Sequence, residues 1–390
     1  MLNAIESQNK SILLSGVPGS GKTCVLLALY DQLETRNDLA TLFIQSREYA
    51  NYTTPEARAA HGIPEDLVGL VGRMSDIKPT VIIIDSLDVL SLSREHSVLS
   101  FFLAQIDRFL LIQNITVIAA CRDFDRKYDR NLSERIWNCI VSNQPLDWQV
   151  VVSPLIQEYG INPESLDSIT RSLLQNPREL AMFADIAQRT GSFNVTTSQA
   201  LSRKYLDEIV RNDNSLGDSA MIALEKIALK MLKYRKLNIS RVQTEMSDDN
   251  LKPLLSANIL HLNQSENIEF GHQTLLDVLV VSGAQREELT LNQFIAKLPA
   301  VPFVRPTIRA YAAFLAAGDR LCFRRQLRAV FDSGAAFHIK RLIVETLAEQ
   351  IPQDDDWSLI KHLHKQYRGL FNALYIQAGC LNGISSGCNF

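Results

Sequence analysis

Apolar residues along the first part of the chain come in short runs separated by segments of helical spacing. Ser11-Ile12-Leu13-Leu14-Ser15 is such a run, and it ends in a glycine-rich stretch. Cys24–Leu33 has the spacing of a helix, and Ala40–Gln45 reads as a second strand. Residues 50–78 read as loop and helix. Val81-Ile82-Ile83-Ile84, bounded by Pro79 and Asp85, is continuously apolar, as suits a strand covered on both faces of a parallel sheet. Leu99–Leu111 has helical spacing, Ile115–Ala120 reads as a fourth strand, and Trp148–Val152 as a fifth closed by Pro154. Strands alternating with helices predict an α/β domain with a parallel sheet that ends near residue 155.

The period then becomes helical, from about Ser165 to residue 215, with one break at Gly191–Thr197. Helices are expected over Ser219–Tyr234, Ser240–Met246 and Asp248–Ala257, the last capped by Ser247 or Asp248. Ile259–Leu262 and Asn267–Phe270 read as strands around a polar turn, and His272–Gly283 as a closing helix, an order that resembles a winged helix. Beyond about residue 290 the expectation is all helix: Arg305–Ala317, Leu321–Phe331, Ala335–Gln350 and Ser358–Ala378. Helical hairpins of this length suggest the start of a solenoid, although no clean repeat is present. Gly379–Phe390 has no period and reads as loose.

A length of 390 residues suits two to four domains, and 46% hydrophobic with 21% charged residues is ordinary for a globular protein. A net charge of −3 gives no global basic field for nucleic acid or membrane. Cys24, Cys121, Cys139, Cys322, Cys380 and Cys388 contain no C-x-x-C pair and read as free thiols of a reducing compartment. No apolar run is long enough for a membrane span, and residues 1–11 are not a secretory signal, so a cytoplasmic location is expected.

Gly16-Val17-Pro18-Gly19-Ser20-Gly21-Lys22-Thr23 fits G-x-x-x-x-G-K-[ST] in full, between an expected strand and an expected helix. The glycines let backbone N–H groups turn toward phosphates, and the helix adds its positive end. Lys22 is placed to reach the β- and γ-phosphates and Thr23 to ligate Mg²⁺. Gly16, Pro18, Gly19, Ser20, Gly21, Lys22, Thr23 and the adjoining Cys24 are the candidate nucleotide-binding residues. Asp85, at the end of the apolar Val81–Ile84 run, is the candidate to hold Mg²⁺ through water. No guanine-reading Asn-Lys-x-Asp is present, so ATP or ADP with Mg²⁺ is the expected cofactor set.

Four weaker features follow in order. Asp85-Ser86-Leu87-Asp88 places a second carboxylate three residues on, and Asp88 is the candidate base or water-positioner. Ile115–Ala120 leads into Cys121-Arg122, and an arginine at a strand end can report a γ-phosphate through charge-assisted hydrogen bonds. Arg126, Lys127 and Arg130, mixed with aspartates, read as a solvated loop. Asn176-Pro177-Arg178-Glu179-Leu180 starts a helix, and Phe270-Gly271-His272-Gln273 another. Arg47, after the second strand, points to the ligand edge or to solvent.

Taken in this order, residues 11–285 resemble the STAND class of P-loop signalling ATPases, of NACHT or AAA-like type. The resemblance implies a P-loop domain (1–155), a helical lid (156–216), a winged helix (217–288) and an α-helical, repeat-like region (289–390). It implies Arg122 as sensor, Pro177 packed near the adenine, and His272 on the β-phosphate of ADP in a closed resting form. It further implies that a trigger protein opens the molecule, ATP replaces ADP and subunits form a homo-oligomer that acts on an effector. Immune or stress signalling, including antiviral defence, is the usual setting. Ser86 stands where motor-type relatives carry a base, and Val89 where class members often carry Glu, so hydrolysis is expected to be slow. With only ten residues before the first strand, the chain reads as a fragment, a truncated reading frame or one module of a multi-gene system. The alternative is a DNA-binding AAA-like ATPase using the winged helix. Its recognition helix, Asp248–Ala257, has one lysine, two acids and Pro253, which is poor for phosphate contact, and Arg235, Lys236 and Arg241 compensate modestly.

Overall fold

The computed structural model describes residues 1–46, 54, 56, 59, 64, 66–87, 96–128, 130–263, 266–350 and 352–382. They form two compact units, Met1–Thr196 and Thr197–Phe390. Helices of at least seven residues are numbered in chain order.

The first unit is built on five parallel strands in the order β2-β3-β4-β1-β5. They are β1 (Ser11–Gly16), β2 (Ala40–Gln45), β3 (Thr80–Asp85), β4 (Ile115–Arg122) and β5 (Cys139–Ser142). Helices α1 (Lys22–Glu34), α2 (Leu67–Ile77) and α3 (His96–Leu110) cover the faces. Strand residues alternate between the covers: Ile12, Leu14, Val81, Ile83, Ile118 and Ala120 pack with Leu26, Leu29 and Leu33 of α1. Leu13, Ile82, Ile84, Val117 and Ala119 pack on the other side with Val68, Val71, Leu99, Phe102 and Ile106. That two-sided cover is why these strands read as unbroken apolar runs. From β1 the chain crosses to β2 and returns through β3 to β4, while β5 lies on the other flank of β1. The order therefore reverses at β1, which places a ligand crevice at its C-terminal end.

The fifth strand is not Trp148–Val152. That segment is a π-helical turn started by Asp147, whose carboxylate accepts from the N–H groups of Gln149 and Val150, each at 2.8 Å. Val150 is 75% exposed, so its apolar character was not a sheet signal. The edge strand is Cys139–Ser142, with Cys139 and Val141 turned to the core. Helices α4 (Ser168–Leu174) and α5 (Pro177–Thr190) complete the unit.

The second unit opens with α6 (Ser198–Leu206) and α7 (Gly217–Tyr234). A three-stranded antiparallel sheet, β6-β8-β7, follows with α8. These are β6 (Asn238–Ser240), α8 (Asp248–Ser256), β7 (Leu260–Leu262) and β8 (Asn267–Phe270), then α9 (Gln273–Arg286). The order matches the winged-helix expectation except at Ser240–Met246, where a strand end and a 3₁₀ turn over Arg241–Thr244 replace a helix. The remainder is helical: α10 (Leu291–Lys297), α11 (Arg305–Ala317), α12 (Arg320–Phe331), α13 (Phe337–Ala348), α14 (Trp357–Gln366) and α15 (Arg368–Asn382). The single helix expected over Ser358–Ala378 is broken at Tyr367 (φ −137°, ψ 62°), whose hydroxyl donates to Asp332 at 3.1 Å. Of the expected loose tail Gly379–Phe390, residues 379–382 are instead the end of α15, and 383–390 lie outside the described residues. No helix of the described residues is long and apolar enough to cross a membrane. Cys24, Cys121, Cys139 and Cys322 carry no disulfide.

Candidate nucleotide site

Strand β1 ends at Gly16, and the chain turns through Gly19 (φ +78°) and Gly21 (φ +83°) into α1. Gly21 is the N-cap residue, and no side chain caps the helix. The first-turn N–H groups therefore lack an intrahelical acceptor, at the positive end of a 13-residue helix. That arrangement accepts an anion. Lys22 folds back over the loop, its Nζ donating to the carbonyls of Gly16 at 2.9 Å and Val17 at 3.0 Å.

Parallel register brings the other strand ends alongside. Gly16 lies opposite Arg122 in the β1–β4 ladder, and β4 separates β1 from β3. Asp85 ends β3, is 7% exposed, and accepts from Thr23 Oγ1 at 2.9 Å. A hydroxyl and a carboxylate at this distance are a donor set that fits Mg²⁺, which takes oxygen ligands and retains water alongside one or two carboxylates. Ser46, fully buried at the end of β2, donates to the Asp85 carbonyl at 2.5 Å and fixes that strand end. Ser86 follows at φ +63°, a strained left-handed turn for a non-glycine residue.

Two further segments close on the loop. Asn143, directly after β5, donates to the loop: its Nδ2 reaches the Ser20 carbonyl at 2.5 Å and Ser20 Oγ at 3.3 Å. Its own N–H binds the Ser15 carbonyl at 2.7 Å. Asn176, the N-cap of α5, donates through Nδ2 to the Pro18 carbonyl at 3.1 Å and accepts from the Arg178 N–H at 3.1 Å. A Cβ added at Gly19 would lie 2.8 Å from Arg178 Cβ, and one added at Gly21 would lie 3.7 Å from Pro177 Cγ. The start of α5 thus rests on the loop. Arg178 pairs with the buried Glu179, and Ser15 of β1 donates to Asp123, the residue after β4.

Of the candidates named from sequence, Gly16, Pro18, Gly19, Ser20, Gly21, Lys22, Thr23, Asp85, Arg122 and Pro177 come together around this loop. Cys24 lies exposed on the first turn of α1. Asp88 and Arg47 lie outside the described residues. His272 belongs to the second unit, as the N-cap residue of α9. Nothing local in the sequence marks Ser46 or Asn143, whose partners are a distant strand end and a distant loop. Arg178 was visible only as part of the Asn-Pro-Arg run.

Residues 12–142 match the model of the family described as ATPase family associated with various cellular activities (AAA). No curated protein matches the chain. Among solved structures, Cdc6p from Pyrobaculum aerophilum is 16% identical, with 74% of this chain and 91% of that chain covered and a TM-score of 0.30. The ORC1 protein of Aeropyrum pernix, solved in complex with DNA, is 15% identical over 72% of this chain and 88% of its own, with a TM-score of 0.35. AMPPCP-bound DnaA from Aquifex aeolicus is 14% identical over 85% and 91%, with a TM-score of 0.37.

Proposed function

We propose that this chain is an ATP/ADP-binding switch with slow Mg²⁺-dependent hydrolysis, in which the bound nucleotide controls assembly into homo-oligomers. One observation carries the reading: the phosphate loop, the Thr23–Asp85 pair and the start of α5 meet at one point. A loop that touches a helix outside the sheet's own covers can pass its occupancy on. Differential affinity of ADP and ATP for two arrangements then supplies the bias. Ser86, in place of a carboxylate base beside Asp85, supports slow turnover, which favours a timer over a motor. His272 is assigned to the resting ADP form, and the trigger and effector are proteins of the signalling type named by the STAND resemblance.

The test is the nucleotide content of the purified protein after denaturation, with its mass before and after ATP. Retained ADP on a monomer that assembles with ATP is the expected result. An empty protein that turns over ATP freely without assembling overturns the reading. Lys22→Ala is expected to weaken ADP binding about a hundredfold, through loss of charge-assisted bonds to phosphate.

A second reading, an ATPase that binds DNA, is favoured by a different observation. Residues 226–244 contain Lys226, Lys230, Lys233, Arg235, Lys236 and Arg241 and no acid. Five lie on the outward face and C-terminal end of α7 and the turn after it, and Arg241 lies in the 3₁₀ turn beyond β6; none is on α8.

A further inference from the structure

A phosphate loop works only when its N–H groups converge inward. Each trans peptide is planar, so its C=O and N–H point in opposite directions. Holding the Pro18 carbonyl outward therefore aims the Gly19 N–H inward, and holding the Ser20 carbonyl outward does the same for the Gly21 N–H. These two carbonyls are the ones that accept the side-chain amides of Asn176, at 3.1 Å, and Asn143, at 2.5 Å. The peptides concerned lead into glycines at φ +78° and +83°, where the chain has the least intrinsic resistance to a flip. The anchors thus sit where the sequence alone leaves the loop free.

Resting on the nucleotide-switch reading, we propose that Asn143 and Asn176 are positioning residues that hold the loop in its phosphate-binding form, and that Asn176 also transmits its occupancy to α5. The second role follows from both ends of one amide. Asn176 Nδ2 holds the loop, while its Oδ1 accepts from the Arg178 N–H and caps α5. Movement of the loop on taking up phosphate pulls on the group that starts the helix. Asn143 has no helix to cap, and serves the loop alone.

Asn176→Ser separates the two roles, since serine caps a helix as well as asparagine does but is too short to reach the Pro18 carbonyl. ADP and AMP affinities would be measured by competition against a fluorescent ATP analogue, with wild-type binding as the check on the nucleotide reading itself. Asn176→Ser and Asn143→Ala are each expected to weaken ADP about five- to tenfold, the effect of a hydrogen bond lost from a positioned group. AMP, which lacks the β-phosphate, is expected to change less than twofold, and the nucleotide-free melting temperature of Asn176→Ser to hold. Hydrogen exchange supplies the second readout: ADP is expected to slow exchange of the Arg178 amide in wild type but not in Asn176→Ser. Equal losses for ADP and AMP, or ADP affinity within twofold of wild type in both variants, overturn the positioning role. Unaltered ADP protection of Arg178 in Asn176→Ser overturns the transmission role. A wild-type protein that binds no nucleotide overturns the reading beneath both.

Discussion

At the scale of single residues, the site is governed by how closely the backbone is approached. Gly19 and Gly160 have nearly the same φ, +78° and +75°, but different surroundings. A Cβ at Gly19 would meet Arg178 Cβ at 2.8 Å and Asn176 Oδ1 at 2.9 Å, while one at Gly160 meets nothing within 4 Å. Alanine at either position carries the left-handed penalty, about 1 kcal/mol. At Gly160 that strain is the whole effect, and ADP affinity is expected to stay within twofold. Gly19→Ala must in addition push α5 off the loop, and ADP affinity is expected to fall at least tenfold. Titration calorimetry with ADP on the two variants makes the comparison. Equal affinities would mean that α5 does not bear on the phosphate site.

Among the elements, α12 and α14 are joined by charges rather than by apolar contact alone. Asp356, 3% exposed, accepts from Arg320 Nη2 at 2.5 Å and Nε at 3.2 Å, and from Arg324 Nη1 at 3.4 Å. Burial pushes its pKa up, but the Arg320 and Gln353 hydrogen bonds outweigh that and hold it below the usual carboxylate value. A group depressed in the folded state contributes stability above its unfolded pKa, about 3.9, and loses it as pH falls through the depressed value. Asp332, which accepts from His362 and Tyr367, is depressed in the same sense. Acid unfolding of the second unit is therefore expected to begin below about pH 4. Asp356→Asn is expected to cost about 3 kcal/mol at pH 7, because two largely buried guanidinium groups lose their shared anion, and to flatten the acid limb. Hydrogen exchange of α12 amides against pH reads both; an unshifted profile would show that the pairs are incidental. The sequence made the elements legible where one residue's neighbours along the chain decide its fate. β3 is unbroken because both its faces are covered, and α1 starts where glycines end. It misled at Trp148–Val152, where an aspartate cap outweighs five apolar or long side chains, and at Tyr367, where the backbone leaves helical geometry and the hydroxyl bonds Asp332 just past α12. Asn143 and Ser46 were illegible for the same reason: their partners are brought by the fold.

Across the whole molecule, charge is distributed unevenly in a way that the net value of −3 conceals. The first unit holds 17 lysines and arginines against 23 acids, and the second 23 against 20. Within the second, the acid-free stretch 226–244 concentrates six cations. Lys230 pairs with Glu245 and Arg241 with Asp248, while Lys226, Lys233, Arg235 and Lys236 form no ion pair among the described residues. Cations at the C-terminal end of a helix offset its dipole, which accounts for one or two of them but not six. By contrast α8, where a winged helix would read a groove, begins Asp248-Asp249 and contains Pro253. If the DNA-binding reading holds, the contact is to the phosphate backbone through α7, and it is independent of base sequence. A labelled 20-base-pair duplex is then expected to bind with log affinity falling against log salt at a slope of about −5, from about 0.9 per cation for six cations. Lys226→Glu, Lys233→Glu and Lys236→Glu together are expected to lower duplex affinity about a hundredfold and to reduce the slope, with ADP affinity unchanged. Lys252→Ala, on α8, is expected to have no effect. Loss of binding on Lys252→Ala instead would restore α8 as the reading helix, and absence of duplex binding at 50 mM salt would leave the basic face as a solvated helix end and the switch reading alone.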